Sequence, residues 1–480
     1  MGFFDVNMIT HRVSPQQARY TPMGGREKCA RCRFFIAPKW CGHVTGPVSP
    51  MGWCKYFSQE MRAQFGGSQA VAIGPPGATL DLGFMTPGIM TAGITFTRAS
   101  TATYTDASGA IQPAAINQPR WDYTGGSLRG LLIEEGRTNL SFPSTNWLAG
   151  SVPGGSVDGI TQNVGAGLSG VNNAMALIPG AFSGVHQFFT TFGGAPSTTY
   201  TYSLYAKPAG MSFLYMELGN TGFTATGQTG IFNLSAGIVD SQTAGAAARI
   251  QSIGGGWFRC SIVATSSAGG GVYLTNLRPG ADGTIGFAVS TGNNVNGVWV
   301  WGQQVETGTF PTSYIPTTSG EVARQIDICT ISPANMSPWF ASPGGTWFAE
   351  FVNFDAAMTG KNSRVIGPTA AGSNSPMYEA ASLVMVQFDG GFCATANTVT
   401  ANAIVKVASG WSPGLAKLCL NGGPVAAAAL ATGYAGLVTN GVTLFGTVPA
   451  SFSEQMSGYL RRVQYWPRAL TDAEMQQVTT

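Results

Sequence analysis

Glycine and proline limit what this chain can become. There are 66 glycines and 27 prolines among 480 residues, so a helix breaker or turn former arrives about every five residues. An ordinary helix needs ~10–14 residues free of such interruption. Between the breakers lie short runs in which apolar and polar residues alternate, the period of a half-buried strand. Hydrophobic residues make up 44% and aromatics 11%, enough to bury several cores and to exclude a disordered chain. The expectation is a mainly β protein of two to four domains, at ~100–200 residues each, made of antiparallel strands and tight turns.

Charged residues are 10% of the chain, and 25 basic against 22 acidic residues leave a net charge of +3. No block of one sign occurs, which argues against nucleic acid or anionic lipid as partner. Met1-Gly2-Phe3-Phe4-Asp5 lacks the basic-then-apolar pattern of a secretory signal. No run of ~18 apolar residues offers membrane insertion. A protein made in the cytoplasm is expected, and its low charge opposes self-association only weakly.

Cysteine use is uneven. Cys260, Cys329, Cys393 and Cys419 stand singly among apolar neighbours and read as small buried hydrophobes. Cys29, Cys32, Cys41 and Cys54 are crowded into 26 residues. In a reducing compartment a Cys-x-x-Cys with two more cysteines nearby points to metal before disulfide. Structural zinc usually pairs two such knuckles; here the later gaps are eight and twelve residues. Phe34, Phe35, Ile36, Trp40, Trp53, Tyr56 and Phe57 supply the dry shell that an iron–sulfur cluster needs. Iron–sulfur, zinc, and disulfides or free thiols all stay open on this reading, and His43 is a lone loop histidine beside the set.

Cys29-Ala30-Arg31-Cys32, Cys41 and Gly52-Trp53-Cys54 resemble the small high-potential iron–sulfur proteins over residues 26–58. The resemblance implies that Cys29, Cys32, Cys41 and Cys54 ligate a [4Fe-4S] cluster, with zinc as the alternative. The gap from Cys32 to Cys41 is shorter than in that family. No substrate site accompanies the cluster, so its expected role is a staple for a segment too short to fold unaided. Ser14-Pro15-Gln16-Gln17 and Lys55–Phe65 predict two short helices around it. The chain then reads as a cluster domain over 1–65 and a Gly/Pro-rich linker over 66–93.

Residues 94–147 carry a second resemblance. Ile94–Tyr104 alternates like a strand entering a turn at Asp106–Gly109, followed by Asn117-Gln118-Pro119-Arg120-Trp121 and Gly130-Leu131-Leu132-Ile133-Glu134-Glu135-Gly136-Arg137-Thr138-Asn139-Leu140. Together these resemble a segment of tailed-bacteriophage structural proteins. Leu131, Leu132 and Ile133 read as a buried strand. Glu134 and Glu135 point to opposite faces of it, so they are expected to pair with Arg98, Arg120 or Arg137 and not to share an acid–base site.

Short alternating strands then recur: Thr199–Ala206, Phe213–Leu218, Gly230–Leu234, Trp257–Ala264, Val272–Leu277, Thr284–Val289 and Val298–Val305. They predict an antiparallel sandwich or jelly roll within 94–325. Tyr202–Lys207, Gly256–Ser261, Val298–Glu306 and Phe310–Thr317 resemble carbohydrate-binding-module-like domains of phage tail proteins. Such modules stack aromatic faces on sugar rings. Trp299 and Trp301 share one strand face, and core packing is the reading preferred for them over ligand contact. Residues 335–480 begin with the alternating Thr346–Val352 and end in Arg468-Ala469-Leu470-Thr471-Asp472-Ala473-Glu474. This ending resembles laminin-G and concanavalin-A-like lectin folds, and Thr471-x-x-Glu474 is a capping box for a terminal helix. The Glu-x-Asp-x-x-Glu arrangement of hydrolytic relatives is missing from the sequence, as are dense calcium ligands, a Walker loop, His-Glu-x-x-His and Gly-x-Ser-x-Gly.

The sequence thus predicts a mainly β bacteriophage virion protein, fibre- or tail-associated, with a metal-stapled N-terminal domain and two antiparallel β-sandwiches. No catalytic residue is assigned, and no glycan-binding residue can be named. The expected partners are other virion proteins, two further copies of the chain in a homotrimer, and host surface glycans. A capsid decoration or head-fibre protein is the alternative within the particle, and a glycan-degrading tail enzyme the alternative of another class.

Overall fold

The computed structural model describes residues 35–36, 40–41, 75–91, 93–145, 147, 160–162, 164–219, 223, 227–269, 271–283, 290–340, 343–355, 362–369, 375–380, 383–388, 391–430, 441–446 and 455–480. The chain divides into two units, Met1–Val71 and Ala72–Thr480. In the first, Phe35–Ile36 pairs antiparallel with Trp40–Cys41, with Phe35 opposite Cys41. Cys29, Cys32 and Cys54 lie outside the described residues, as do both expected N-terminal helices.

The second unit is mainly β, and one of its sandwiches is inserted into the other. The outer sandwich has an eight-stranded sheet whose central path runs Ala426–Leu430, Gly414–Leu420, Ile404–Ser412, Gly345–Asn353, Gly458–Trp466, Ser127–Ile133, Arg120–Thr124. Its second sheet runs Gly391–Thr398, Leu383–Phe388, Ser375–Ala380, Asn362–Pro368, Val442–Leu444, Ile328–Ile331, Ile94–Thr97. The two sheets bury one shared core that includes Phe96, Leu131, Trp347, Phe351, Ile366, Leu444 and Tyr465. Ladders this close need small residues at some positions: a Cβ on Gly458 would sit 1.9 Å from the Val352 carbonyl oxygen.

The sheets divide the chain differently from the sequence segments. Leu80–Gly83, read as part of a linker, pairs with Arg462–Tyr465 in the final long strand, and Trp466 Nε1 donates to the Pro75 carbonyl at 2.9 Å. Alternation in Leu80-Asp81-Leu82 is enough to extend a sheet edge once glycines release the chain. Residues 94–133, expected to open the middle sandwich, supply strands to both sheets of the C-terminal one. Ile94–Thr97 and Ser127–Ile133 find partners more than two hundred and more than three hundred residues away, a distance that local periodicity does not report.

The inserted sandwich pairs a six-stranded sheet, in order Ile160–Gln162, Met175–Leu177, Gly297–Thr307, Thr199–Ala209, Trp257–Thr265, Ala247–Gly254, with a five-stranded one. The latter runs Phe188–Gly194, Gly271–Gly280, Phe213–Gly219, Gln228–Asn233, Ile238–Gln242. Tyr200, Tyr202, Leu204, Met216, Phe232 and Ile262 interlock between the sheets. Six of the seven strands expected here form; 284–289 lies outside the described residues. The chain enters and leaves this sandwich side by side, because Arg137–Asn139 pairs antiparallel with Val322–Arg324. The run Gly130–Leu140 is therefore the entry to a two-stranded neck.

Shorter expectations are met. Cys260, Cys329, Cys393 and Cys419 are buried and unpaired. Helix Asp472–Thr479 begins at Thr471 with both capping-box hydrogen bonds present, and Met475 and Val478 pack on Phe348, Trp466 and Cys419.

Candidate functional site

The neck holds a buried set of charges. Arg98 Nη1 lies 3.0 Å from Asp327 Oδ1, and Arg120 Nη2 lies 2.5 Å from Asp327 Oδ2. Arg120 also reaches Glu134 at 2.9 Å, while Arg324 stands 3.7 Å from Glu134 and 3.9 Å from Asp327. Glu135 points the other way, to Arg137. The expectation of structural pairing holds for both glutamates. Asp327 is the member that sequence reasoning missed, since a single acid in Gln325-Ile326-Asp327-Ile328 carries no motif.

Removing such charges from water is costly, and only good geometry offsets it. Ser313 supplies that geometry, its N–H and Oγ donating to the two Glu134 oxygens, each at 2.7 Å. Burial alone would push the Glu134 carboxyl up. Arg324, Arg120 and the Ser313 hydrogen bonds outweigh it and hold the group at about 2. Glu134 is an ionised structural anion and not a proton donor at neutral pH.

Directly above this network is a cleft of ≈ 470 Å³ shared by the two sandwiches. Its floor includes Asp122, Leu132 and Glu134. One wall is the outward face of the six-stranded sheet, where Arg249 is registered with Ser261, Gln251 with Arg259, and Tyr205 with Arg259. The opposite rim carries Arg129, Phe354, Asn402 and Tyr459 of the outer sandwich. Hairpin Ala102–Thr105 with Ile111–Ala114 closes a side. Its turn is set by Asp106 Oδ1, which accepts from the N–H groups of Ser108 and Ala110 at 2.9 and 3.0 Å. Gly109 is required there twice over: its φ is +85°, and a Cβ would meet the Ile253 carbonyl oxygen at 2.9 Å.

Two cleft arginines lie against aromatic faces. The Arg259 guanidinium carbon is 5.3 Å from the Tyr205 ring centroid, and that of Arg129 is 5.6 Å from Tyr459. Asp122 accepts from the Tyr459 hydroxyl at 2.7 Å and from the Thr105 N–H at 2.6 Å. Burial raises the Asp122 carboxyl despite these bonds, and burial with the neighbouring Asp122 raises the Tyr459 hydroxyl well above its ordinary value.

The tryptophans singled out in the sequence divide. Trp301 is 1% exposed, donates from Nε1 to Asn173 Oδ1 at 2.7 Å, and packs against Tyr205 and Tyr314. It is core. Trp299, on the same face, is half-buried beside Lys207. Among the described residues no group of three or more His, Cys, Asp or Glu is placed to hold a metal ion. No helix among them is long and apolar enough to cross a membrane.

No protein-family model matches the chain, and no curated protein matches it. Among solved structures it is similar to a heptameric SAP-like pentraxin from Limulus polyphemus, at 15% identity and TM-score 0.24, over 29% of this chain and 70% of that one. It is also similar to a sialidase CBM40 of Ruminococcus gnavus bound to sialyllactose, at 18% identity and TM-score 0.24, over 29% and 85%. Domains LG4-5 of the mouse laminin α1 chain align at 10% identity and TM-score 0.20, over 67% and 97%. At these TM-scores the likenesses carry no assignment of family or ligand.

Proposed function

We propose that this chain is a structural protein of a bacteriophage particle, fibre- or tail-associated, that binds host surface glycans without cleaving them. In this reading a [4Fe-4S] cluster on Cys29, Cys32, Cys41 and Cys54 staples the docking domain, which attaches to other virion proteins, and the chain is a homotrimer. Wording of the phage-type segment supports the particle assignment. The observation that carries glycan binding is the cleft itself. Tyr104 and Phe354 offer part-exposed aromatic surface there, beside the hydrogen-bonding groups of Gln251, Ser261 and Asn402, the pairing of surfaces by which saccharides are held.

The absence of cleavage rests on how the cleft carboxyls are used. Glu134 is committed to two arginines and Ser313, and Asp122 to Tyr459 and Thr105. Each of their oxygens already accepts a hydrogen bond from the protein, so neither carboxylate is free to attack a glycosidic carbon. The full chain is to be applied to a saccharide array and to the retained saccharides in solution, with antibody to the chain applied to purified particles. Retention without release of reducing sugar, and labelling at the tail, are the expected results. Release of reducing sugar would make the protein an enzyme. Unlabelled particles would remove the virion assignment.

A further inference from the structure

We infer that the cleft takes an anionic saccharide, one whose carboxylate or sulfate is received by Arg129, Arg249 and Arg259. The inference rests on the reading of the cleft as a glycan site and adds the class of ligand. It begins from where arginine charge is satisfied. Arg98, Arg120, Arg137, Arg324, Arg461, Arg462 and Arg468 each pair with a carboxylate. Among the described residues, Arg129, Arg249 and Arg259 have no ion pair, and all three line this one cleft.

The cleft acids do not answer that charge. Glu134 is balanced inside the neck, and the two Asp122 oxygens are taken up by the Tyr459 hydroxyl and the Thr105 N–H. Among the described residues no protein anion is paired with these three guanidinium groups, and at the part-buried Arg129 and Arg259 a ligand acid would be bound more strongly than in open solvent. Such uncompensated charge costs stability, and ligand binding is the return that explains its retention.

Two of the three groups are also pre-set. Arg129 and Arg259 lie against Tyr459 and Tyr205, and Arg259 Nη2 donates to Ser203 Oγ at 3.1 Å. A guanidinium held in plane loses little freedom when it takes a carboxylate or sulfate through two parallel hydrogen bonds. Arg249 is exposed on the neighbouring strand and is suited to reach a second acid or a ring hydroxyl. The aromatic rim and a volume of ≈ 470 Å³ fit a short oligosaccharide better than a bare inorganic anion, within the ~300–1,000 Å³ of small-molecule sites.

The test uses the full chain on an array carrying sialylated, uronate-bearing and sulfated saccharides beside their neutral counterparts, read at low and at physiological salt. Acidic members should be retained and their neutral counterparts lost, with retention falling as salt rises. The carboxylated and sulfated spots distinguish which acid is used. Titration of the best acidic saccharide into R249Q and R259Q should show affinity reduced about 10- to 100-fold, the scale of one hydrogen bond to a charged group. Arg249 is exposed, so R249Q should keep the parent melting temperature and report on binding alone. Equal retention of neutral and acidic members, with R249Q and R259Q unchanged, would overturn the inference and leave the glycan reading standing. Retention of no saccharide would overturn both.

Discussion

Arg98 and Asp327 are 229 residues apart in the chain and form a 3.0 Å ion pair with neither side chain exposed. The pair joins the end of strand Ile94–Thr97 of the outer sandwich to the segment that leaves the inserted one. Asp327 also accepts from Arg120 Nη2 and from the Glu134 N–H. Replacing Asp327 by Asn would leave Arg98, Arg120 and Arg324 facing Glu134 alone. Breaking a buried pair costs about 3–5 kcal/mol, so Asp327→Asn should lower the unfolding free energy of this unit, read by urea titration, by that amount. A change below about 1 kcal/mol would mean that the arginines find other compensation.

Acid should loosen the same neck. Glu134 has its pKa lowered from 4.5 to about 2 in the folded protein, so the folded state binds fewer protons than the unfolded state between those values. Its stabilisation is present above pH 4.5 and is lost as the pH falls toward 2, amounting to roughly 3 kcal/mol. Asp122 has the opposite sign: burial raises its pKa, so its contribution is present below the ordinary carboxylate value and is lost as pH rises through the folded pKa. Stability against pH for the parent and Glu134→Gln separates the two. The difference between the curves should shrink between pH 4.5 and 2, and parallel curves would remove Glu134 as its origin.

Trp301 and Trp299 make a paired test of core against surface. Trp301 is sealed by Tyr205, Tyr314 and Asn173, whereas Trp299 is half-buried on the same strand face. Trp301→Ala should cost about 3–5 kcal/mol, and Trp299→Ala less than half as much. Chemical unfolding of the two variants side by side reads the contrast. Equal losses would show that the outer face of the six-stranded sheet packs as one layer through both rings.

How much of this was legible follows the range of the interaction. Thr471 and Glu474 announce their helix because both halves of the capping box lie within one turn. Leu131, Leu132 and Ile133 announce a buried strand by their own run. The insertion did not show, because Ser127–Ile133 finds its partner in Gly458–Trp466, and alternation specifies a buried face without naming the neighbour. The buried pairing of Glu134 and Glu135 could be anticipated from strand alternation, but Asp327 and Arg324 could not. The cleft was the least visible. Arg129, Arg249 and Arg259 are isolated residues on three strands, and nothing in their local sequence brings them to one cleft.

The four clustered cysteines allow the sharpest chemical prediction. Trp40–Cys41 folds back on Phe35–Ile36 so that Cys41 lies opposite Phe35, and Cys32 is three residues before Phe35. The full chain prepared without oxygen should be brown, with about four irons and four sulfides per chain, and Cys41→Ser should lose the colour and the iron together. Zinc in place of iron would keep a metal-stapled segment while removing the iron–sulfur assignment. A colourless chain with neither metal would reject the staple, because four thiolates within 26 residues would then hold nothing that fixes the segment.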